Sequence, residues 1–488
     1  MAKRIEVSDF ALIGGNPADS RSGAVCSIAI IERPRGWDMN ALMEFVDSRL
    51  ALAPRYRQKV RAVPFVLGRS VWVDDKDFDL SFHVRRSALP VPGGMRMLAD
   101  LVARIIDRPL EPSRPLWELY FIEGLAEDRI VVLSKTHQAL VDGRNYPDLT
   151  ELLLGSTPAE RDDIEVPTWS PASSPSNGVL VVDALTALIA DPLDPLRRAG
   201  IVLGRAEKAG SSLLAAVTSP LRPGHAGVAD TFHTRRSTGS RVGFASFPLA
   251  SVRGIARRHK CTVNDVVLCV LAGALRSWVQ SWGRPLATAD ILNVMVPLAV
   301  QAGADDGENP DFGEELLDPT GVEGTDIASA VIPLPIGETN PRVRLAQIAR
   351  ETAAFASSSN PVGAQALAGF GGFSPATLHA LGVRAARLVP EGSYDLIVTN
   401  APGPQHRMYW AEGELFEMYP VPALLPGQGL AVGLTSYDGM VYAGFTSDRS
   451  VVPDVDEIGE LVAMSIAELE YTEPSSSRAT AVGGPAEG

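Results

Sequence analysis

The chain has 488 residues, of which 45% are hydrophobic and 21% charged, an ordinary globular balance that allows two to four domains at roughly 150 residues each. Its net charge of −14 repels phosphate backbones and excludes nucleic acid as a partner. Cys26, Cys261 and Cys269 stand apart, so neither a disulfide framework nor a metal site is expected.

Lys3 and Arg4 open the chain, but Asp9, Asn16 and Asp19 prevent a continuous apolar run after them, so no signal peptide is read there. Ala24–Ile31 (AVCSIAII) is a short apolar run of strand type. Asn40–Ala53 has helical spacing through Leu42, Phe45, Val46, Leu50 and Leu52. Trp72-Val73 leads into an acidic turn at Asp74–Asp77. Met95–Ile106 reads as a helix with Leu98, Leu101, Val102 and Ile105 on one face. Trp117–Ile122 and Ile130–His137 read as strands, with a turn at Gly124–Asp128.

Ser156–Gly178 is rich in Ser and Pro, as a linker is. Val179–Thr218 is helix-like, broken at Pro192 and Pro195, and mildly basic through Arg197, Arg198, Arg205 and Lys208. A packed surface helix and a membrane-docking helix both fit that pattern. Asp183 breaks the most apolar stretch; nothing reaches the roughly 18 apolar residues of a span, so any membrane contact is peripheral.

The second half holds a helix over Val263–Gln280, with Cys269 as a small buried hydrophobe. A strand at Ile291–Val296 precedes an acidic, Gly-rich insertion at Gly303–Gly324. Further strands fall at Ala328–Leu334, Tyr394–Thr399, Leu430–Ser436 and Met440–Thr446, and a helix at Asp454–Leu469. The tail after Thr472 lacks apolar mass and is expected to be disordered. The chain thus divides into residues 1–160, a linker with amphipathic helices over 161–238, a second unit over 239–472, and a tail over 473–488.

Ile130–His137 runs into Gln138-Ala139-Leu140-Val141-Asp142-Gly143. A histidine at a strand end, followed by a carboxylate and a turn glycine, suits a general base. Taken alone, it equally describes a structural histidine before a turn.

Other motifs decide between these. Gly68–Val73, Phe78-Asp79-Leu80 and His83-Val84-Arg85-Arg86 precede Asp107–Glu118, which contains Pro115-Leu116-Trp117. Thr262–Val267 with Asn264-Asp265, Val296-Pro297, Asn400–Pro404 and Met418–Val421 come after it. In this order and spacing, from about residue 5 to 470, the chain resembles the bacterial wax ester synthase/diacylglycerol acyltransferase family. The resemblance implies a mixed α/β fold of two domains similar to chloramphenicol acetyltransferase, with the active-site channel between them. It implies transfer of a fatty acyl group from acyl-coenzyme A to diacylglycerol or a long-chain alcohol. A histidine base removes the hydroxyl proton, and the alkoxide attacks the thioester directly. The partners are then acyl-coenzyme A, as co-substrate with no bound cofactor, and the lipid alcohol. The location is cytoplasmic, with peripheral contact to the inner membrane face or a lipid-droplet surface.

The family heptad is His-His-x-x-x-Asp-Gly, with the second histidine as base. His137 matches the first histidine, and Gln138 stands at the second. An amide has no usable basicity near neutral pH, and loss of a positioned base costs roughly 10²–10⁴-fold in rate. A strand ending or bulge at this point would re-aim His137. The candidate catalytic residues are His137, Gln138, Asp142 and Asn264. Asp142 with Gly143 fixes the turn. Asn264 suits an oxyanion, or with Asp265 the N-cap of the following helix. Gly143, Pro115, Leu116, Trp117 and Asp265 are the substrate-channel or motif positions, with packing the stronger reading of Pro115-Leu116-Trp117, and Asn400–Pro404 reads as a rigid turn. Thr325 follows Gly324 where the family has Gly-Asn. The alternative function is a catalytically impaired relative that binds acyl lipids or partners an active transferase.

Overall fold

The computed structural model describes residues 24–34, 36, 38–64, 70–141, 148–158, 169–190, 228, 230–233, 239–301, 325–358, 379, 393–425 and 427–471. The fold is mixed α/β, as the sequence leads one to expect. The strands are β1 Ala24–Ile31, β2 Gln58–Arg61, β3 Val71–Asp74, β4 Val84–Ala88, β5 Trp117–Leu125, β6 Arg129–His137, β7 Leu154–Gly155 and β8 Ser240–Pro248. They continue with β9 Leu292–Gln301, β10 Thr325–Leu334, β11 Leu396–Ala401, β12 Tyr409–Trp410, β13 Gly413–Val421, β14 Leu430–Tyr437 and β15 Met440–Asp448. The helices are α1 Met39–Leu50, α2 Leu80–His83, α3 Met95–Ile106, α4 Leu149–Leu153, α5 Asn177–Ala190, α6 Leu249–His259, α7 Val263–Ser281, α8 Pro341–Ser358 and α9 Val455–Glu470.

Two sheets carry the fold. One runs β4-β5-β6-β1-β13-β12-β7, the other β10-β9-β11-β14-β15-β8, and β2 pairs with β3 separately. All eight residues of β1 are buried, which fits a strand without a polar alternation. β13 comes late in the chain, yet it pairs antiparallel with β1, with Cys26 opposite Val421 and Ser27 opposite Pro420. Pro420 also leans on the second sheet: a Cβ placed on Gly433 of β14 would stand 3.0 Å from it. One strand therefore stitches the two sheets together.

Helix α3 lies along the same seam. Asp107, just beyond its end, accepts the Ser240 backbone N–H at 3.0 Å and the Ser240 hydroxyl at 2.7 Å. Asp100 pairs with Arg241 at 2.7 Å and Arg96 with Asp456 at 3.0 Å. These two pairs are solvent-exposed and worth little each; the Asp107 clasp ties the end of α3 to the start of β8.

His83 and His379 are buried, and desolvation pushes both pKa values down to about 4. His83 lies between Phe78 and Trp117, 5.3 and 4.5 Å between ring centroids, and its Nδ1 donates to the Trp117 carbonyl at 2.8 Å. A folded-state pKa below the unfolded value means that the unfolded chain binds more protons. Stability is complete above about pH 6.5, falls as pH drops through that window, and the loss levels off below about pH 4, reaching about 3 kcal/mol per ring. His83→Phe keeps the aromatic stack and removes one titrating ring. Urea midpoints at pH 7 and 4.5 are expected to differ less in this variant than in the natural chain. An equal difference would refute the assignment.

Several elements sit where the apolar patterns put them: β1, α3, α7 and α9 agree to within a residue or two. β13, α6 and α8 have no counterpart among the expected elements. Thr218 and the helix breaks at Pro192 and Pro195, the insertion 303–324 and the tail 473–488 lie outside the described residues.

Candidate active site

β6 alternates Val131, Leu133 and Lys135 with Val132, Ser134 and Thr136, so its two faces differ chemically. It ends at His137, which lies opposite Ala24 of β1. The His137 N–H donates to the Leu116 carbonyl at 2.9 Å, and the Leu140 N–H donates back to the His137 carbonyl at 2.9 Å. Gln138 therefore opens a turn, and strand alternation no longer governs its direction. His137 is 4% exposed and Gln138 0%. His137 Nδ1 accepts the Ala139 N–H at 3.2 Å. An amide N–H can only donate, so Nδ1 carries the lone pair and the neutral ring holds its proton at Nε2.

Asp142 and Gly143 lie outside the described residues. Both flanks of that stretch are anchored. Asp148 caps α4 by accepting the Thr150 N–H at 2.8 Å. The hydroxyls of Ser27, Ser134 and Thr150 bond one another at 2.6–2.9 Å, and all three residues are buried. This ring holds α4 against the ends of β1 and β6.

On the other face of β6, Lys135 is fully buried. Its ammonium donates to the carbonyls of Ile105, at 2.9 Å, and Arg108, which satisfies the end of α3. It stands 3.9 Å from the Glu118 carboxylate. Glu118 in turn accepts the Tyr120 hydroxyl at 2.9 Å and pairs with Arg85 at 3.2 Å. Burial lowers the Lys135 pKa. Burial also pushes the thiol of Cys26, its cross-strand neighbour, up to about 12, which rules out a thiolate nucleophile there.

Pro115, Leu116 and Trp117 are buried. The Trp117 indole donates to the Tyr56 carbonyl at 2.7 Å, and its ring stacks on His83 at 4.5 Å between centroids. Leu116 has a second task, since its carbonyl holds the His137 backbone.

In the second half, Thr262 is the N-cap of α7, and it forms a capping box with Asp265. Of the two readings of Asn264, the capping one is thereby corrected: the cap is Thr262, and Asp265 serves it from the third helical position. The Asp265 carboxylate satisfies the Thr262 N–H and also accepts the Thr352 hydroxyl at 2.6 Å, which ties α7 to α8. Asn264 is left half-buried, and its Oδ1 accepts from Asn400 Nδ2 at 3.4 Å. Two motifs far apart in sequence thus meet. With Oδ1 turned to Asn400, the Asn264 amide nitrogen is the donor that can face an oxyanion.

His379 is a buried residue that sequence reasoning missed. Its Nδ1 lies 2.5 Å from Thr399 Oγ1, one residue before Asn400. No carboxylate or turn signal surrounds it in Leu378-His379-Ala380, so nothing local marks it. Among the described residues, no group of three His, Cys, Asp or Glu could hold a metal.

The chain matches the family model for the wax ester synthase/diacylglycerol acyltransferase catalytic domain over residues 18–267, and that for the WS/DGAT C-terminal domain over residues 323–470. The probable diacylglycerol O-acyltransferase tgs1 of Mycobacterium tuberculosis is 30% identical over 455 residues, 91% of each chain. The fold is similar to that of the wax ester synthase/diacylglycerol acyltransferase from Marinobacter aquaeolei VT8, with a TM-score of 0.63 and 22% identity, covering 96% of this chain and 99% of that one. The first condensation domain of the calcium-dependent antibiotic synthetase matches with a TM-score of 0.55 and 14% identity, covering 96% of each chain.

Proposed function

The chain belongs to the wax ester synthase/diacylglycerol acyltransferase family, and from that premise we propose that it moves a fatty acyl group from acyl-coenzyme A to diacylglycerol or a long-chain alcohol, making triacylglycerol or wax ester. The observation that carries the site assignment is the end of β6 at His137: the histidine sits where strand gives way to turn, on a sheet that β13 joins to the sheet of Asn400 and its partner Asn264.

His137 takes the hydroxyl proton at Nδ1, whose present bond to Ala139 is long at 3.2 Å. The alkoxide oxygen attacks the thioester carbonyl. Asn264 donates to the oxyanion. Collapse expels the coenzyme A thiolate, which picks up the proton. Gln138 stands at the position of the family's base; it orients the alcohol by hydrogen bonding and takes no proton. Residues 1–160 and 239–472 form the two acyltransferase-like units, with 161–238 as linker and 473–488 as tail.

Among the described residues no single helix is long and apolar enough to cross a membrane. Contact with a lipid surface is peripheral in this reading, and α5 supports it. Leu180 and Ala184 pack on Val63, Val71 and Val73, while Val179, Val182 and Leu185 remain 48%, 58% and 43% exposed at helical spacing.

Radiolabelled acyl-coenzyme A offered with diacylglycerol, monoacylglycerol and fatty alcohols tests the function. His137→Ala is expected to reduce turnover to the uncatalysed level. Unchanged turnover in that variant would sink the base assignment. A natural chain that binds acyl-coenzyme A without turnover would instead favour the impaired relative, for which the basicity lost at Gln138 is the specific reason.

A further inference from the structure

The end of the first sheet that carries His137 also carries an unusual pair of cations. Phe82 is the third residue of α2. The Arg114 guanidinium lies 3.9 Å from the centre of its ring, and the Arg85 guanidinium 4.9 Å from the same centre. Two like charges gathered on one ring repel each other, and the ring's quadrupole compensates only in part. Arg85 is balanced by Glu118 at 3.2 Å. Arg114 makes no ion pair among the described residues. The acid that acts on it, Asp79, is exposed and already accepts the Ser81 N–H and hydroxyl at 2.9 and 2.6 Å.

Register places this pair at the end of the sheet that carries His137. Arg114 is two residues before Leu116, whose carbonyl holds the His137 N–H at 2.9 Å. Phe82 precedes His83, whose ring bonds the carbonyl of Trp117 at 2.8 Å. β4 starts with Val84 opposite Leu119, and Trp117 lies opposite Thr136 of β6. Phe82, Arg114, Leu116 and His137 therefore share one end of β4, β5 and β6. The protein as a whole carries a net charge of −14, and here two partly exposed arginines share one aromatic ring, of which only Arg85 has an ion-pair partner among the described residues. Planar guanidiniums are the side chains best fitted to phosphate oxygens.

We propose that Arg114 and Arg85, held on Phe82, bind a phosphate group of the acyl-coenzyme A donor while its acyl thioester reaches His137. The proposal rests on the acyl-coenzyme A reading above. It adds a donor-recognition site outside the reacting atoms. The flexible pantetheine arm separates the phosphates from the thioester, so a phosphate clamp belongs at a distance from the histidine.

The test compares two donors with the same acyl chain: acyl-coenzyme A, and an acyl-N-acetylcysteamine thioester that has no phosphate. In Arg114→Gln the ratio of kcat/KM on acyl-coenzyme A to that on the truncated thioester is expected to fall about tenfold, mostly through KM. The natural chain's KM for acyl-coenzyme A should rise with ionic strength, and more steeply than the variant's. An unchanged ratio overturns the proposal. Calorimetric binding of coenzyme A itself reads the site independently of turnover. Weaker binding in Arg114→Gln supports the clamp even if neither donor is turned over, an outcome that would defeat only the acyl-transfer reading. Flotation with phosphatidylglycerol or phosphatidylcholine vesicles covers the other source of phosphate. Loss of phosphatidylglycerol binding in Arg114→Gln, with coenzyme A binding intact, would assign the pair to a lipid headgroup and overturn the proposal.

Discussion

Gln138→His is expected to raise kcat for acyl transfer by about tenfold, a fraction of what a positioned general base contributes, because His137 already serves as one. Gln138 is fully buried at the turn that ends β6, and an imidazole is close to a glutamine side chain in bulk. The substitution therefore changes basicity far more than packing. KM for both substrates should move little, because a proton acceptor acts in the transition state and not in ground-state binding. The ascending limb of the pH profile should stay in the histidine range, because either base is an imidazole. If His137 is the working base of the natural chain, the added histidine makes turnover largely independent of it, so Gln138→His combined with His137→Ala should retain most of the gain. A double variant as inactive as His137→Ala alone would mean that position 138 does not face the reacting hydroxyl, and the place of Gln138 in this centre would fall.

Lys135→Met is expected to cost roughly 3–5 kcal/mol of stability, the range found when one partner of a buried ion pair is removed. Lys135 is fully buried, and its ammonium serves the Ile105 and Arg108 carbonyls as well as Glu118. Methionine fills a similar volume and leaves those acceptors without their donor. Urea unfolding followed by circular dichroism measures the effect. A double variant with Glu118→Gln should recover part of the loss, since the remaining buried charge is then gone, and the cycle isolates the pair from the helix-end contacts. A cost under about 1 kcal/mol would show that water or a rearranged α3 replaces the ammonium. Because Lys135 lies two residues before His137 on one strand, the same variant should also lower activity before the fold is lost.

Strands and helices with a strong apolar pattern were legible in the sequence. The run Ala24–Ile31 is apolar throughout, and β1 has those bounds. Val263–Ser281 carries a continuous apolar core face, and α7 follows it. β13 was not legible as a strand, because GELFEMYPV mixes acids with apolar residues and contains a proline. Its pairing with β1 compensates through tertiary contact, which no local pattern can report. The same limit applies to the site. His137 was a candidate from its own neighbours, and the order of the distant motifs carried the reading. The meeting of Asn264 with Asn400, the burial of His379 and the stacking of Arg85 and Arg114 on one ring are set by separate segments that only the folded chain brings together. The helix cap is easily misplaced by two residues because Asn264-Asp265 and Thr262 are all good capping residues; the capping box with Asp265 at the third helical position favours Thr262.

The late arrival of β13 has a consequence for synthesis. A ribosome releases β1, β5 and β6 early, and these can pair as soon as they emerge. The other edge of β1 then waits, apolar but for Ser27 and unpaired, until Gly413–Val421 has been made. An open apolar edge is a template for a neighbouring nascent chain. Polysomes that crowd several copies together therefore hold the protein at its most adhesive stage, and folding-helper proteins should engage it for most of translation. Any gene fragment that stops short of residue 413 inherits that edge permanently and should accumulate as inclusion bodies, however well its own helices form.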